Sequence, residues 1–125
     1  MALRKSNVSK KIVVQAIIDK VENDQKDVTI QTGVIEGYPK PEKITDGNDE
    51  NKSYIPDVVL LSDDHTELYE VELENEFELD KWKIFSSFTA GQEGHFNIVT
   101  PEESLPRVRE TLKSNNIDAK IIYFT

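Results

Sequence analysis

The stretch IPDVVLLSDDHTELYEVELE, residues 55–74, sets the frame for reading the whole chain. Pro56 limits where a strand can begin, and Asp57-Val58-Val59-Leu60-Leu61 is apolar on both faces apart from its first residue, as a strand inside a covered sheet must be. Ser62 to Thr66 reads as a tight reversal around Asp63-Asp64. Glu67 to Glu74 then returns as an antiparallel strand. Side chains alternate along a strand, so Tyr69, Val71 and Leu73 share one face, while Leu68, Glu70, Glu72 and Glu74 share the other. A hairpin turning at 63–64 brings position 57 opposite roughly 70 to 72, which sets Asp57 beside Glu70 and Glu72.

Elements on either side of this hairpin follow from periodicity. Ser6 or Ser9 caps a helix over 9–23 with Val13, Ile17 and Val21 on one stripe and Val14 and Ile18 widening it. Residues 28–32 form a β-branched strand that continues through Val34 and Ile35 after a bend at Gly33. The section 37–53, with Pro39, Pro41, Gly47 and several Asn and Asp, reads as one long loop of the kind that often handles substrate. Residues 79–90 carry Trp82, Ile84, Phe85 and Phe88 at helical spacing and make a second helix, with Trp82, Phe85 and Phe88 expected in the core. A strand over 95–100 ends at Pro101, a third helix opens at Glu102 and closes at Asn115-Asn116, and residues 119–124 make a last apolar strand. The order is α-β-β-β-α-β-α-β over a single domain of residues 1–125. It predicts an α/β fold, a three-layer α/β/α sandwich with a mixed central sheet.

Composition narrows the chemistry. The chain has no cysteine, so disulfides and thiolate metal sites are excluded. Nothing in MALRKSNVSKKIVVQ reads as a signal peptide, and the apolar run at 12–18 is too short to span a bilayer, so a soluble cytoplasmic protein is expected. The net charge of −9 comes from one place: residues 63–80 hold nine of the 24 acids and no Lys or Arg, leaving 15 acids against all 15 bases elsewhere. Interleaved Leu68, Tyr69, Val71 and Leu73 argue against a disordered tail. The acids form a solvated face, a binding face for a basic protein, or a cation site, and carboxylates in close company favour a cation. His65 in the reversal and His95 at a strand start take a structural reading, and Ser86, Ser87 and Ser104 carry no nucleophile elbow.

Pro56-Asp57, a spacer with a reversal, and Glu70-Val71-Glu72 in this element order resemble the PD-(D/E)xK superfamily, the restriction-endonuclease-like fold. The resemblance spans residues 9–125 and rests on four motif positions. It implies a Mg²⁺- or Mn²⁺-dependent nuclease that hydrolyses phosphodiester bonds in DNA, with Asp57 and Glu70 as metal ligands. Position 72, where the family has its lysine, is glutamate; Glu72 then serves as a third ligand or general base, and Lys81 or Lys83 of the following helix supplies the missing cation. Glu22 of the first helix is a further candidate ligand. Arg4, Lys5, Lys10 and Lys11, gathered at the first helix start, are candidate contacts to a nucleic-acid backbone. Small members of the fold often pair, so a homodimer or a subunit of a larger complex is expected. The alternative implied by the missing lysine is a nuclease-fold module that has lost catalysis and serves binding or regulation.

Overall fold

The structure is a computed structural model and describes residues 9–25, 27–47, 49–63, 65–74 and 76–125, without the side chain of Glu50. Helix α1, Lys10–Asp24, starts where Ser9 accepts the Ile12 N–H at 3.2 Å, a serine cap that satisfies one of the orphan donors of the first turn. Ser6, the other candidate cap, lies outside the described residues. Val13, Val14, Ile18 and Val21 are buried along one stripe of α1, and Ile17 sits at its edge.

Strand β1 is short, Thr29–Gln31. The expected continuation through Val34 and Ile35 does not form. Thr32 turns its N–H to the Pro39 carbonyl at 2.9 Å and its hydroxyl to the Asp57 carbonyl at 2.7 Å, which carries the chain out of the sheet. The long loop expected over 37–53 is also partly ordered. Strands β2, Ile44–Asp46, and β3, Asp49–Tyr54, form a separate antiparallel hairpin. Ile44 and Tyr54 anchor it to the core, the tyrosine ring meeting Phe85 edge-on at 6.5 Å.

Strands β4, Val58–Leu61, and β5, Thr66–Val71, make the expected antiparallel hairpin, with Val58 opposite Tyr69 and Leu61 opposite Thr66. Its reversal is closed by the Ser62 N–H on the His65 carbonyl at 3.1 Å; Asp64 lies outside the described residues. The strand stops at Val71, short of Glu74. Helix α2, Leu79–Ala90, leads into β6, His95–Pro101; a 3₁₀ turn at Glu102–Ser104 and helix α3, Leu105–Ser114, lead into β7, Lys120–Phe124. Asn116 ends α3 with a positive φ of 53°, the left-handed cap that asparagine tolerates.

The five-stranded sheet runs β1-β4-β5-β6-β7, antiparallel from β1 to β5 and parallel from β5 to β7. Alternation along the strands feeds two cores. On one face α1 packs on Ile30, Val58, Leu60, Val71 and Val99. On the other, Trp82, Ile84 and Phe85 of α2 and Val108 and Leu112 of α3 pack on Val59, Leu68, Phe96 and Ile98. The molecule is thus an α/β protein with a mixed sheet between helical layers. Phe88, expected in this core, lies at its rim, 36% exposed. None of the helices is long and apolar enough to cross a membrane among the described residues.

Gly94 shows why α2 can join β6 so tightly. A Cβ there would fall on the carbonyl oxygen of Thr66, the first residue of β5. Only glycine permits that approach.

Candidate functional site: an acid pair held by two lysines

Where β4 begins and β5 ends, the hairpin register sets Asp57 next to Glu70. The Asp57 N–H donates to Glu70 Oε1 at 3.1 Å, and the Val71 N–H donates to Asp57 Oδ2 at 2.8 Å. Each acid therefore fixes the backbone beside the other, which aligns both carboxylates at one sheet end. Both are nearly out of contact with solvent, Glu70 only 2% exposed. A pair of buried carboxylates is costly to ionise unless cations face it.

Two lysines supply that charge, one from each helical layer. Lys81, in the first turn of α2, places Nζ 2.7 Å from Glu70 Oε2 and 3.6 Å from Glu72 Oε2. Lys10, the first residue of α1, reaches Asp57 at 3.2 Å. Burial, then the neighbouring Asp57 charge, push the Glu70 carboxyl from its ordinary 4.5 up to about 7, against the opposing pull of Lys81 and Lys10. Burial pulls the Lys81 ammonium down, but Glu70, Glu72 and Asp57 together outweigh it and hold the group above the usual lysine range. The site thus holds an ammonium that stays charged at neutral pH beside a carboxyl that keeps its proton well above the usual carboxylate range.

Glu72 lies just beyond the strand, with its N–H on the Val99 carbonyl at 2.8 Å and its own carbonyl accepting from Thr100 Oγ1 at 3.1 Å. Its carboxylate is buried and accepts the indole N–H of Trp82 at 2.8 Å. The burial of Glu70 and Glu72 removes them from any acidic docking face. Glu74, Glu76 and Glu78 are exposed, as a solvated run requires.

The remaining candidates fall elsewhere. Lys83 is exposed and lines a separate depression with Ile44, Thr45 and Asp46. Glu22 stands twelve residues along α1 from Lys10, about 18 Å at the rise of a helix, and its carboxylate receives the Tyr38 hydroxyl at 3.2 Å. Lys11 is exposed at the start of α1. Arg4 and Lys5 lie outside the described residues. His65 and His95 gather round Glu67 at the opposite end of β5, with His95 Nδ1 2.7 Å from its carboxylate. Among the described residues no group of three or more His, Asp or Glu is disposed to hold one ion.

Two residues of the site escape a reading of the sequence for motifs. Lys10 is assigned there to nucleic-acid contact and Trp82 to the core. Trp82 did carry a signal, since a buried indole N–H needs an acceptor and the strand beside it offers only carboxylates in a row. Compared with known protein families, curated proteins and solved structures, the chain shows no match.

Proposed function

We propose that this chain is a metal-dependent nuclease of the PD-(D/E)xK type in which the motif lysine has moved from the strand to Lys81 of α2. The single observation that carries this reading is the 2.7 Å contact between Lys81 and Glu70, beside an Asp57 backbone-locked to that same glutamate. The order of a first helix, an antiparallel hairpin and a helix leading into a parallel strand supports the restriction-endonuclease-like fold as its frame.

The donor set fits a small divalent cation. Asp57 and Glu70 offer hard carboxylate oxygens at a position that already attracts two ammonium groups, so positive charge is what the acid pair favours. These two residues would hold Mg²⁺ or Mn²⁺, which when bound acts as a Lewis acid and makes a water more acidic. Lys81 keeps its charge at neutral pH and offsets the negative charge that grows on a phosphate during hydrolysis. Lys10, its side chain 43% exposed, is free to meet an incoming phosphate, and Lys11 beside it is exposed as well. A chain of net charge −9 binds DNA more readily as a homodimer or within a larger complex that adds basic surface.

A second reading has an observation of its own: each acid already has a lysine, and the closed network suits a nuclease-fold module without catalysis. Incubation with linear, supercoiled and branched DNA in Mg²⁺ or Mn²⁺ separates the two. The nuclease reading expects cleavage that an Asp57→Ala, Glu70→Ala double variant abolishes. Absence of cleavage on every substrate, together with a melting temperature that neither ion moves, overturns it in favour of the module.

A further inference from the structure

Glu72 stands where a strand lysine would, yet its carboxylate is engaged in a different task. Oε2 accepts the Trp82 indole N–H at 2.8 Å and lies 3.6 Å from Lys81 Nζ. Lys81 and Trp82 are consecutive residues of α2, so one carboxylate oxygen grips two neighbouring side chains of one helix. The indole is itself immobile: it is fully buried and stacked on Phe77 with ring centroids 4.7 Å apart and planes 26° apart. The backbone of Glu72 is pinned on both sides, through Val99 and Thr100 of the neighbouring strand. A donor that neither ionises nor turns away thus sets the direction of the carboxylate.

We infer that Glu72 is a positioning residue: locked by Trp82, it holds the Lys81 ammonium against Glu70 and does not bind the metal ion. With glutamate where the strand lysine would stand, the site still holds a cation, supplied by Lys81 of the helix. It exchanges a cation built on the strand for a strand anchor that grips a cation on the helix. Asp57 and Glu70 are tied to each other through backbone N–H groups, whereas Glu72 alone accepts the Trp82 indole, so the three acids divide into a pair and an anchor. The catalytic part of this inference rests on the nuclease reading above; the anchoring itself does not.

The test compares wild type, Glu72→Gln, Lys81→Met, the double variant and Glu70→Gln. Gln at 72 still accepts the indole N–H, and Trp82→Phe, which frees the Glu72 carboxylate instead, is the second route if Glu72→Gln does not fold. In calorimetry with Mn²⁺ alone, Glu72→Gln binds within about twofold of wild type, while Glu70→Gln loses about tenfold or more, as expected for loss of a direct ligand. Cleavage at saturating Mn²⁺ falls by roughly 10- to 100-fold in Glu72→Gln with KM for DNA retained, the usual effect of disturbing a supporting residue. Adding Glu72→Gln to Lys81→Met costs nothing further, because the glutamate acts only through the lysine. Mn²⁺ affinity lost to the same degree as in Glu70→Gln, or losses that multiply in the double variant, would overturn the inference. If wild type neither binds Mn²⁺ nor cleaves DNA, the nuclease reading falls, and urea unfolding of the same proteins decides the anchoring: non-additive losses at 72 and 81 support it, additive losses refute it.

Discussion

Replacing Glu70 with Gln removes a charge that the fold holds at a disadvantage, and the consequence depends on pH in a defined direction. Folded, Glu70 keeps its proton up to about pH 7; its ordinary value is 4.5. Below both values each state is protonated and the group makes no pH-dependent difference. Between them the native state binds more protons than the unfolded chain, so stability falls as pH rises. The gap corresponds, at about 1.4 kcal/mol per unit, to roughly 3 kcal/mol lost by the time the pH has passed the folded value. Glu70→Gln has no such proton, so the difference between the two proteins reports the Glu70 carboxyl together with the Asp57 charge beside it. Lys81 titrates far above this window. Urea unfolding of both proteins at steps from about pH 4 to pH 9 gives the difference directly. The wild-type stability relative to the variant should fall by about 3 kcal/mol across that range. A flat difference, or one that grows with pH, would refute the claim that burial and Asp57 dominate over the two lysines.

Three further outcomes follow from the packing. Gly94→Ala forces a methyl group onto the Thr66 carbonyl and should cost about 1–3 kcal/mol; unchanged urea stability would contradict the close approach of β5 to the start of β6. Trp82→Phe keeps the ring against Phe77 but withdraws the N–H from Glu72, a loss of about 2 kcal/mol for a charged buried hydrogen bond, to be followed by circular dichroism because the chain has no other tryptophan. Mn²⁺ at about 100 times its dissociation constant should stabilise the protein by about 2.7 kcal/mol, an effect read as a rise in melting temperature that Asp57→Ala eliminates.

The hairpin and its acid pair were legible because strand period, a proline stop and a short reversal leave few registers open, and Asp57 meets Glu70 as that register requires. Where local signals compete with tertiary packing, the reading diverges. Pro39, Pro41 and Gly47 suggest a loop, but Ile44 and Tyr54 find apolar support on α2 and the intervening polar segment pairs as β2 and β3. Val34 and Ile35 look like strand residues, yet the Thr32 hydroxyl bond to Asp57 bends the chain first, and they pack at the edge of the α1 core instead. The choice between Lys81 and Lys83 could not be read from residues 75–78, since those set the helical phase. Packing sets it: Trp82 and Phe85 face inward, which turns Lys81 toward the strand ends and Lys83 to solvent. Glu72 illustrates the same limit, because the identity of its partner depends on a ring ten residues away.

The separations along the chain between the site residues also say when the site is assembled. Asp57 and Glu70 are 13 residues apart, and Lys81 comes only a few turns later, so β4, β5 and the start of α2 close short loops that form early in folding. Lys10 must return across 47 residues and arrives only when α1 docks on the far face. On loop length alone, the carboxylates are expected to meet with one cation already beside them and the second to be added last. Under this order Lys10→Gln should accelerate unfolding and leave the folding rate nearly untouched, whereas Lys81→Met should slow folding itself. Stopped-flow chevrons that show the reverse would mean that α1 is part of the nucleus and that the site is built from Lys10 inward.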